Sequence, residues 1–380
     1  MKILFTQLLD GSIIEKFVCD ECEDKSEIDC SSIYKGLIPT ENSRGYLVQK
    51  YENQLLNGTN YALCGIQYTP NDTDVIELDS SKLLGDSIIF LQKTLKNIYK
   101  KDFIIKSAFE QEFFLYDPNK EIGLDNDCYL APLDNIVKKF FKEVSSRLSR
   151  FEIVISSFHS EVANNQFEIT PKYDYCFKSY MDNVLIMKIL DEVAQEFNLE
   201  VSFSEKVHEN LNGSGKHLNW SIWSVDECRV LNNEMNNDFL EIIFNAVSYH
   251  GESLISTIYT GKNKDRLSGK YEAPNPTITI EKNQEIRNRN ASVVSMPGRI
   301  EFRSIGAGQC GANFLSMLNY AIADGFINKD SYRGYHENFI HSKSTSRLWI
   351  TPIEEFRPPI EWLLSDKEKE IWVKVLNTKI

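Results

Sequence analysis

Three segments of the chain alternate polar with apolar residues at a period of two, the spacing of a half-buried β-strand. In Phe109-Glu110-Gln111-Glu112-Phe113-Phe114, the two glutamates project from one face. From Lys216 to Trp223, His217, Asn219 and Ser221 face one way, and Leu218, Trp220 and Ile222 the other. In Arg299-Ile300-Glu301-Phe302-Arg303, Ile300 and Phe302 pin the strand to a core while two arginines and a glutamate share the opposite face. A chain with such strands must cover one side of a sheet and give the other to water or to a cavity. Glu110 and Glu112 sharpen that choice: neighbouring anions repel unless a cation lies between them or the strand is open to solvent.

The segments between these strands supply the covering layer. Leu133 to Arg150 carries Ile136, Val137, Phe140, Phe141, Val144 and Leu148 as one stripe, with Asp134 as N-cap. Helical spacing also predicts helices over Ser87 to Tyr99, Tyr180 to Phe197, Phe239 to Tyr259 and Asn313 to Phe326. Strands are predicted at Ser107 to Tyr116 and Val201 to Ser204, and a hairpin around Glu161 to Thr170. Residues 1 to about 80 read instead as short β-type pieces, Lys2 to Leu8 and Ile13 to Val18 first, separated by polar loops. The expected fold class is α+β, with a domain boundary near residue 100.

With 55 acidic and 42 basic residues, the formal charge is -13, which repels nucleic acid and favours cationic ligands. No nucleic-acid partner is expected. Gln7 and Asp10 interrupt the apolar residues near the start before a signal-peptide core forms, and no apolar run reaches membrane-spanning length. Among the eight cysteines only Cys19 and Cys22 form a Cys-x-x-Cys pair, with no second pair at zinc-site spacing. Reduced thiols in a cytoplasmic protein are expected, a metal or redox site being the alternative.

Further polar groups accompany the three strands. Glu161 and Glu168 flank Val162 to Phe167, which can form a tight hairpin. Asn212-Gly213-Ser214-Gly215 can bring backbone amides to an anion or simply turn the chain. Five glutamates and His217 on strand-like segments are oxygen and imidazole donors suited to Mg²⁺ or Mn²⁺, and arginines beside such metals suit phosphoryl transfer.

In this order, Glu110-Gln111-Glu112-Phe113-Phe114, Glu161-Val162-Ala163 with Gln166-Phe167-Glu168, Asn212 to His217, Asn288-Arg289 and Glu301-Phe302-Arg303 resemble glutamine synthetase. Gly-Lys-His-x-Asn-Trp-Ser and the small-residue loop Ser304 to Gly311 resemble its type III branch, of which this chain would be a shortened, divergent relative. The resemblance implies a β-grasp-like N-terminal domain over residues 1–100. It implies, over 101–380, a catalytic domain with a curved antiparallel sheet backed by helices.

Residue by residue, it implies that Glu112, Glu161 and Glu168 hold the metal nearest the amino-acid substrate. Glu110, His217 and Glu301 would hold the metal at the ATP phosphates. Asn212, Gly213, Arg266 and Arg303 resemble the glutamate-binding groups, Arg289 and Arg299 the phosphate contacts, and Ser221 a contact near the base. Glu272 resembles the flap glutamate that deprotonates the incoming nitrogen, and Asp29-Cys30-Ser31-Ser32 the latch that a neighbouring subunit adds to the ammonium pocket. Departures are also visible. Val293, Val294 and Ser295 stand where many members carry a second arginine, Asn219 where a second histidine is common, and Tyr332 to Ile380 is dissimilar.

The implied reaction joins glutamate and ammonia at the expense of ATP, through γ-glutamyl phosphate, with two or more Mg²⁺ or Mn²⁺ ions. Alternatives are a γ-glutamyl ligase using an organic amine and a catalytically weak regulatory relative. A homo-oligomer with sites at subunit boundaries is implied by the family alone.

Overall fold

The long alternating segment around Glu110 becomes the central strand of the larger of two sheets. The computed structural model describes residues 2–8, 11–18, 25–33, 43–56, 59–69, 76–77, 80–119, 135–225, 236–259, 261–268, 270, 273–274, 278–281 and 290–334. The chain opens with β1 (Lys2–Gln7), β2 (Ile13–Val18), β3 (Lys25–Asp29), the short helix α1 (Cys30–Ile33), β4 (Arg44–Leu56), β5 (Thr59–Tyr68) and β6 (Ile76–Glu77). These strands form one sheet in the order β2-β1-β5-β4-β3, with β6 also on β5. Only β1 and β5 run parallel.

Helix α2 (Ser80–Tyr99) leads into β7 (Phe103–Tyr116). After it come α3 (Asn135–Ser149), β8 (Ile155–Ser160), β9 (Gln166–Pro171), β10 (Asp174–Tyr175), α4 (Cys176–Glu196) and β11 (Glu200–Ser202). Then follow β12 (Lys216–Ser224), α5 (Asn236–Tyr249), α6 (Gly251–Ser256), α7 (Asn263–Arg266), β13 (Ile280–Glu281), β14 (Val293–Met296) and β15 (Arg299–Phe302). The described chain closes with α8 (Gly311–Ile327) and α9 (Lys329–Tyr332). The second sheet is curled, in the order β13-β14-β15-β12-β7-β9-β8, with β10 and β11 also on β7. It is antiparallel except between β13 and β14.

The apolar face of this sheet explains why it forms. Phe109 and Phe113 of β7, Leu218, Trp220 and Ile222 of β12, and Ile300 and Phe302 of β15 are all buried against the helices. Each such side chain contributes roughly 1.5–3 kcal/mol of transfer free energy. The expected α+β class and the helix-backed curved sheet are both present.

Several boundaries differ from those read in the sequence. Helix α2 starts at Ser80 rather than Ser87 because buried serines, which read as loop residues, find partners in α8. Ser80 Oγ donates to Asn313 Oδ1 at 2.7 Å, and Ser87 Oγ accepts from Asn319 Nδ2 at 3.1 Å. The helix predicted over Phe239 to Tyr259 is two helices, kinked at His250 (φ -91°, ψ 13°). Gly251 follows, a poor helix former, and the His250 ring is held by Asp324 Oδ2 at 2.8 Å. The predicted cap Asp134 lies outside the described residues.

Among the described residues no helix is long and apolar enough to cross a membrane. Cys30, Cys64, Cys176 and Cys310 are buried free thiols. Burial pushes the Cys176 thiol up to about 12, and burial with the nearby Asp29 charge does the same to Cys30. Cys19, Cys22, Cys128 and Cys228 lie outside the described residues.

Candidate active site

Strand register assembles the polar face into one cluster. Across β7 and β9, Glu112 stands opposite Glu168, and across β8 and β9, His159 stands opposite the same Glu168. Across β7 and β12, His217 faces Glu110, and across β12 and β15, Asn219 faces Glu301. Directly opposed residues bring their Cβ atoms to about 5 Å, so five strands deliver these side chains to a common volume.

Glu110, Glu168 and His217 each offer a ligand atom within 4.8 Å of the other two, and so do His159, Glu161 and Glu168. Glu168 therefore belongs to both groups. The His217 imidazole is central: Nδ1 lies 3.3 Å from Glu110 Oε2 and 3.5 Å from Glu301 Oε1, and Nε2 lies 3.5 Å from Glu112 Oε1. Burial, helped by Arg303, lowers its pKa and favours the neutral, ligating form. Burial, then the charges of Glu112 and Glu168, pushes Glu161 up to about 8. Burial and Glu168 raise Glu110 to about 6. Glu168 goes the other way. Burial works to raise it, but the His159 hydrogen bond, the two histidine charges and the Thr170 hydroxyl bring it below the ordinary carboxylate value.

Glu112 links the cluster to the glycine-rich loop. Its Oε2 accepts from Gly215 N at 2.9 Å and from Gln166 Nε2 at 3.1 Å, leaving Oε1 toward His217. Gln166 Nε2 also reaches Gly213 O and Ser214 Oγ. A Cβ on Gly215 would lie 2.3 Å from Arg266 Nη2 and 3.0 Å from His217 Nε2, so the loop can press against both only with glycine there. Asn212 and Gly213 are half-buried in that loop.

Arg266 lies beneath the loop, 3% exposed. Its guanidinium donates to Arg303 O, Asn263 Oδ1 and Ser304 O at 3.0 to 3.4 Å. Arg303 Nη1 donates to Glu301 Oε1 at 2.6 Å. In both arginines Nε is buried without a hydrogen-bond partner, an arrangement that costs about 1–3 kcal/mol per donor until an acceptor arrives. Burial lowers the Arg266 pKa to about 10, so the side chain is still charged at neutral pH.

From Glu110 the cleft continues along the sheet as a cavity of about 570 Å³ lined by Asn219, Ser221, Arg299, Lys172, Tyr173 and Thr170, among others. Arg299 donates from Nε to Asn219 Oδ1 at 2.7 Å. Ser221 Oγ donates to Lys106 O and accepts from Trp223 Nε1. Asp29 is on the other sheet, exposed at the end of β3, where it accepts from Ser32 Oγ at 2.6 Å. Glu272 and Arg289 lie outside the described residues.

Two contributors escaped the sequence reading. His159 was readable as a third polar residue at period two with Ser157 and Glu161, and Gln166 only as part of a motif. Folding gives both their place: Gln166 is 1% exposed, and His159 lies between Glu161 Oε1 at 3.5 Å and Glu168 Oε1 at 3.3 Å.

Fold and site together define a two-sheet α+β protein whose larger sheet carries an acid- and arginine-lined cleft, and comparison with known proteins narrows that class. Residues 88–351 match the family model for the glutamine synthetase catalytic domain. The chain belongs to the glutamine synthetase family and is type III-like. It is 27% identical over 387 residues to the type-3 glutamine synthetase of Dictyostelium discoideum, covering 81% of this chain and 52% of that one. It is 31% identical over 161 residues to a glutamine synthetase of Bacteroides fragilis, covering 40% of this chain and 22% of that one. The chain thus spans about half or less of the length of these two relatives. In fold it is similar to the Plasmodium falciparum glutamine synthetase (TM-score 0.68, 19% identity, 86% of this chain and 72% of that one). It is also similar to ligand-free GmaS (TM-score 0.75, 15% identity, 100% of this chain and 92% of that one).

Proposed function

We propose that the cleft belongs to an ATP- and divalent-metal-dependent ligase that joins a carboxylate to an amine, and that its reaction is glutamine formation from glutamate and ammonia. The observation that carries this reading is the pairing of opposite chemistries. Arg266 and Arg303, each with a buried, unpartnered Nε, border a cluster of carboxylates crowded around His217.

The donor set fits Mg²⁺ or Mn²⁺: carboxylate oxygens and one neutral imidazole, without thiolate. Burial, with the charges of Glu112 and Glu168, holds Glu161 protonated up to about 8, and an added cation would relieve it. Glu110, His217 and Glu301 would hold one ion, and Glu112, Glu161 and Glu168 another, with His159 beside Glu168. When bound, such ions screen the charge of the triphosphate and of the transferring phosphoryl group.

The chain's own groups would do the rest. Arg266, Arg303, Asn212 and Gly213 hold the substrate carboxylate end, and the buried guanidinium donors fix its orientation. Arg299 and Arg289 would contact the phosphates, with Ser221 near the base. The γ-carboxylate would then attack the terminal phosphorus of ATP as its bond to the ADP oxygen breaks, giving an acyl phosphate and ADP. The incoming nitrogen would displace inorganic phosphate, which leaves where hydroxide would not. Glu272 takes a proton from the incoming nitrogen, assisted by Asp29 from a neighbouring copy in a homo-oligomer. Residues 1–100 and 101–380 would be the two folding units, and the buried free thiols suit a reducing cytoplasm.

Phosphate release from ATP, Mg²⁺ and glutamate tests the reading, with ammonium compared against a panel of amines. Turnover with ammonium and its loss in Glu301→Ala are expected. Response to an organic amine alone replaces the nitrogen donor. Silence throughout, with Glu301→Ala identical to the unaltered chain, refutes the ligase.

A further inference from the structure

Two arginines leave the cleft face of β15 and its end, each beside a carboxylate, and the structure treats them differently. Arg303 pairs directly with Glu301, Nη1 to Oε1 at 2.6 Å. Arg299 meets Glu110 only through a side chain set between them. Asn219 donates from Nδ2 to Glu110 Oε1 at 2.8 Å and accepts at Oδ1 from Arg299 Nε at 2.7 Å. A carboxylate, an amide and a guanidinium thus stand in a row on β7, β12 and β15, adjacent strands of one sheet.

The order of that row has a chemical consequence. A guanidinium and a carboxylate in contact form a strong, often bidentate pair that occupies both groups. Glu110 bound that way would offer less to a cation, and Arg299 less to a phosphate. A carboxamide donates to the carboxylate and accepts from the guanidinium at once, and does so at any pH. An imidazole at the same place loses its acceptor on protonation.

We infer that Asn219 is a spacer, a positioning residue that prevents Arg299 from pairing with Glu110 and so keeps one available to a metal and the other to a phosphate. The inference rests on the proposed metal- and ATP-dependent reading of the cleft. It makes the lost histidine at this position a feature of how the cleft handles charge.

The test is calorimetric titration of the full chain with Mn²⁺ in the absence of nucleotide, alongside phosphate release on the same preparations. Asn219→Ala lets Arg299 fall onto Glu110, and Mn²⁺ affinity drops about tenfold or more, the scale of losing a group that orients a metal ligand. In the double variant Asn219→Ala/Arg299→Gln no guanidinium is left to collapse, and affinity returns to that of Arg299→Gln alone. Asn219→Ser, which also vacates the space between the two groups but stays polar, repeats the test if the alanine variant does not fold. The inference is overturned if Asn219→Ala binds Mn²⁺ like the unaltered chain. It is equally overturned if the double variant stays as weak as Asn219→Ala, which would mean that Asn219 merely orients Glu110. Failure of the unaltered chain to bind Mn²⁺ overturns this inference and the metal-dependent reading together. Normal Mn²⁺ binding in every variant, with turnover lost only where Arg299 is replaced, overturns the spacer alone.

Discussion

Raising the pH on the metal-free protein should destabilise it, and divalent metal should reverse the loss. Glu161 titrates near 8 in the folded chain against an ordinary 4.5. Between those values the native state keeps a proton that the unfolded chain has released, so unfolding free energy falls as pH rises. The stability is fully present below about pH 4.5 and gone above about 8. At roughly 1.4 kcal/mol per pH unit the interval corresponds to about 5 kcal/mol. Glu110, raised to about 6, adds up to about 2 kcal/mol. Both owe part of their shift to Glu168, so the contributions do not simply add; over pH 5.5 to 8, about 2.5 pH units, Glu161 alone corresponds to about 3 kcal/mol, the working figure. For a domain of this size that is about 6–12 °C in Tm. His159, raised mainly by Glu168 against the effect of burial, pulls in the same direction. Glu168 itself, depressed, acts only below the ordinary carboxylate range.

The measurement is thermal unfolding in EDTA and in Mg²⁺ or Mn²⁺ at pH 5.5 and 8. In EDTA the midpoint should drop toward pH 8, and the gain on adding metal should be small at pH 5.5 and on the order of 10 °C at pH 8. Asp182, raised by burial to about 6 and partnered by Lys178, supplies a background fall that metal leaves untouched. Glu161→Gln separates the cause: it should be more stable than the unaltered chain in EDTA at pH 8 yet gain less from metal. A metal response of equal size at both pH values, or one unaltered by Glu161→Gln, refutes the reasoning.

Gly215→Ala should abolish turnover and lower Tm, since its methyl would meet Arg266 Nη2 at 2.3 Å; steady-state phosphate release and thermal unfolding check this. Arg266→Gln removes a buried guanidinium whose Nε has no partner; on the proposed substrate role, a rise in KM for glutamate of about tenfold or more is expected, with metal titration little changed. Lys216, fully buried, donates to Gln309 O at 2.8 Å, and burial lowers its pKa to about 8. Its native state holds fewer protons than the unfolded chain between about 8 and 10.5, so stability should rise with pH there. Lys216→Met should flatten that rise and leave stability at pH 7 equal or higher, read by urea unfolding at pH 7, 8 and 10.

Particular elements separate what the amino-acid sequence encodes locally from what folding adds. The strands around Glu110, His217 and Glu301 were legible because one face of each is strongly apolar, and a period-two pattern admits no other way to bury Leu218, Trp220 and Ile222. Helix α2 was legible only in its apolar half. Its first turns are serines whose helical state depends on Asn313 and Asn319, more than 200 positions away. The kink at His250 was invisible for the same reason, since Asp324 lies 74 positions downstream.

For the cleft, the residues' own pattern determined which side chains share a face, and the ordered motifs supplied the family. Which carboxylates touch was decided by register, a property of two strands at once. It sets Glu112 opposite Glu168, makes Glu168 common to both candidate metal groups, and brings His159 beside them. The displaced protonation of Glu161, the unpartnered Nε atoms of Arg266 and Arg303, and the amide of Asn219 between Glu110 and Arg299 likewise exist only after folding. Alternation along a strand is local chemistry written in consecutive residues. Desolvation and charge crowding arise from neighbours that only the folded chain brings together.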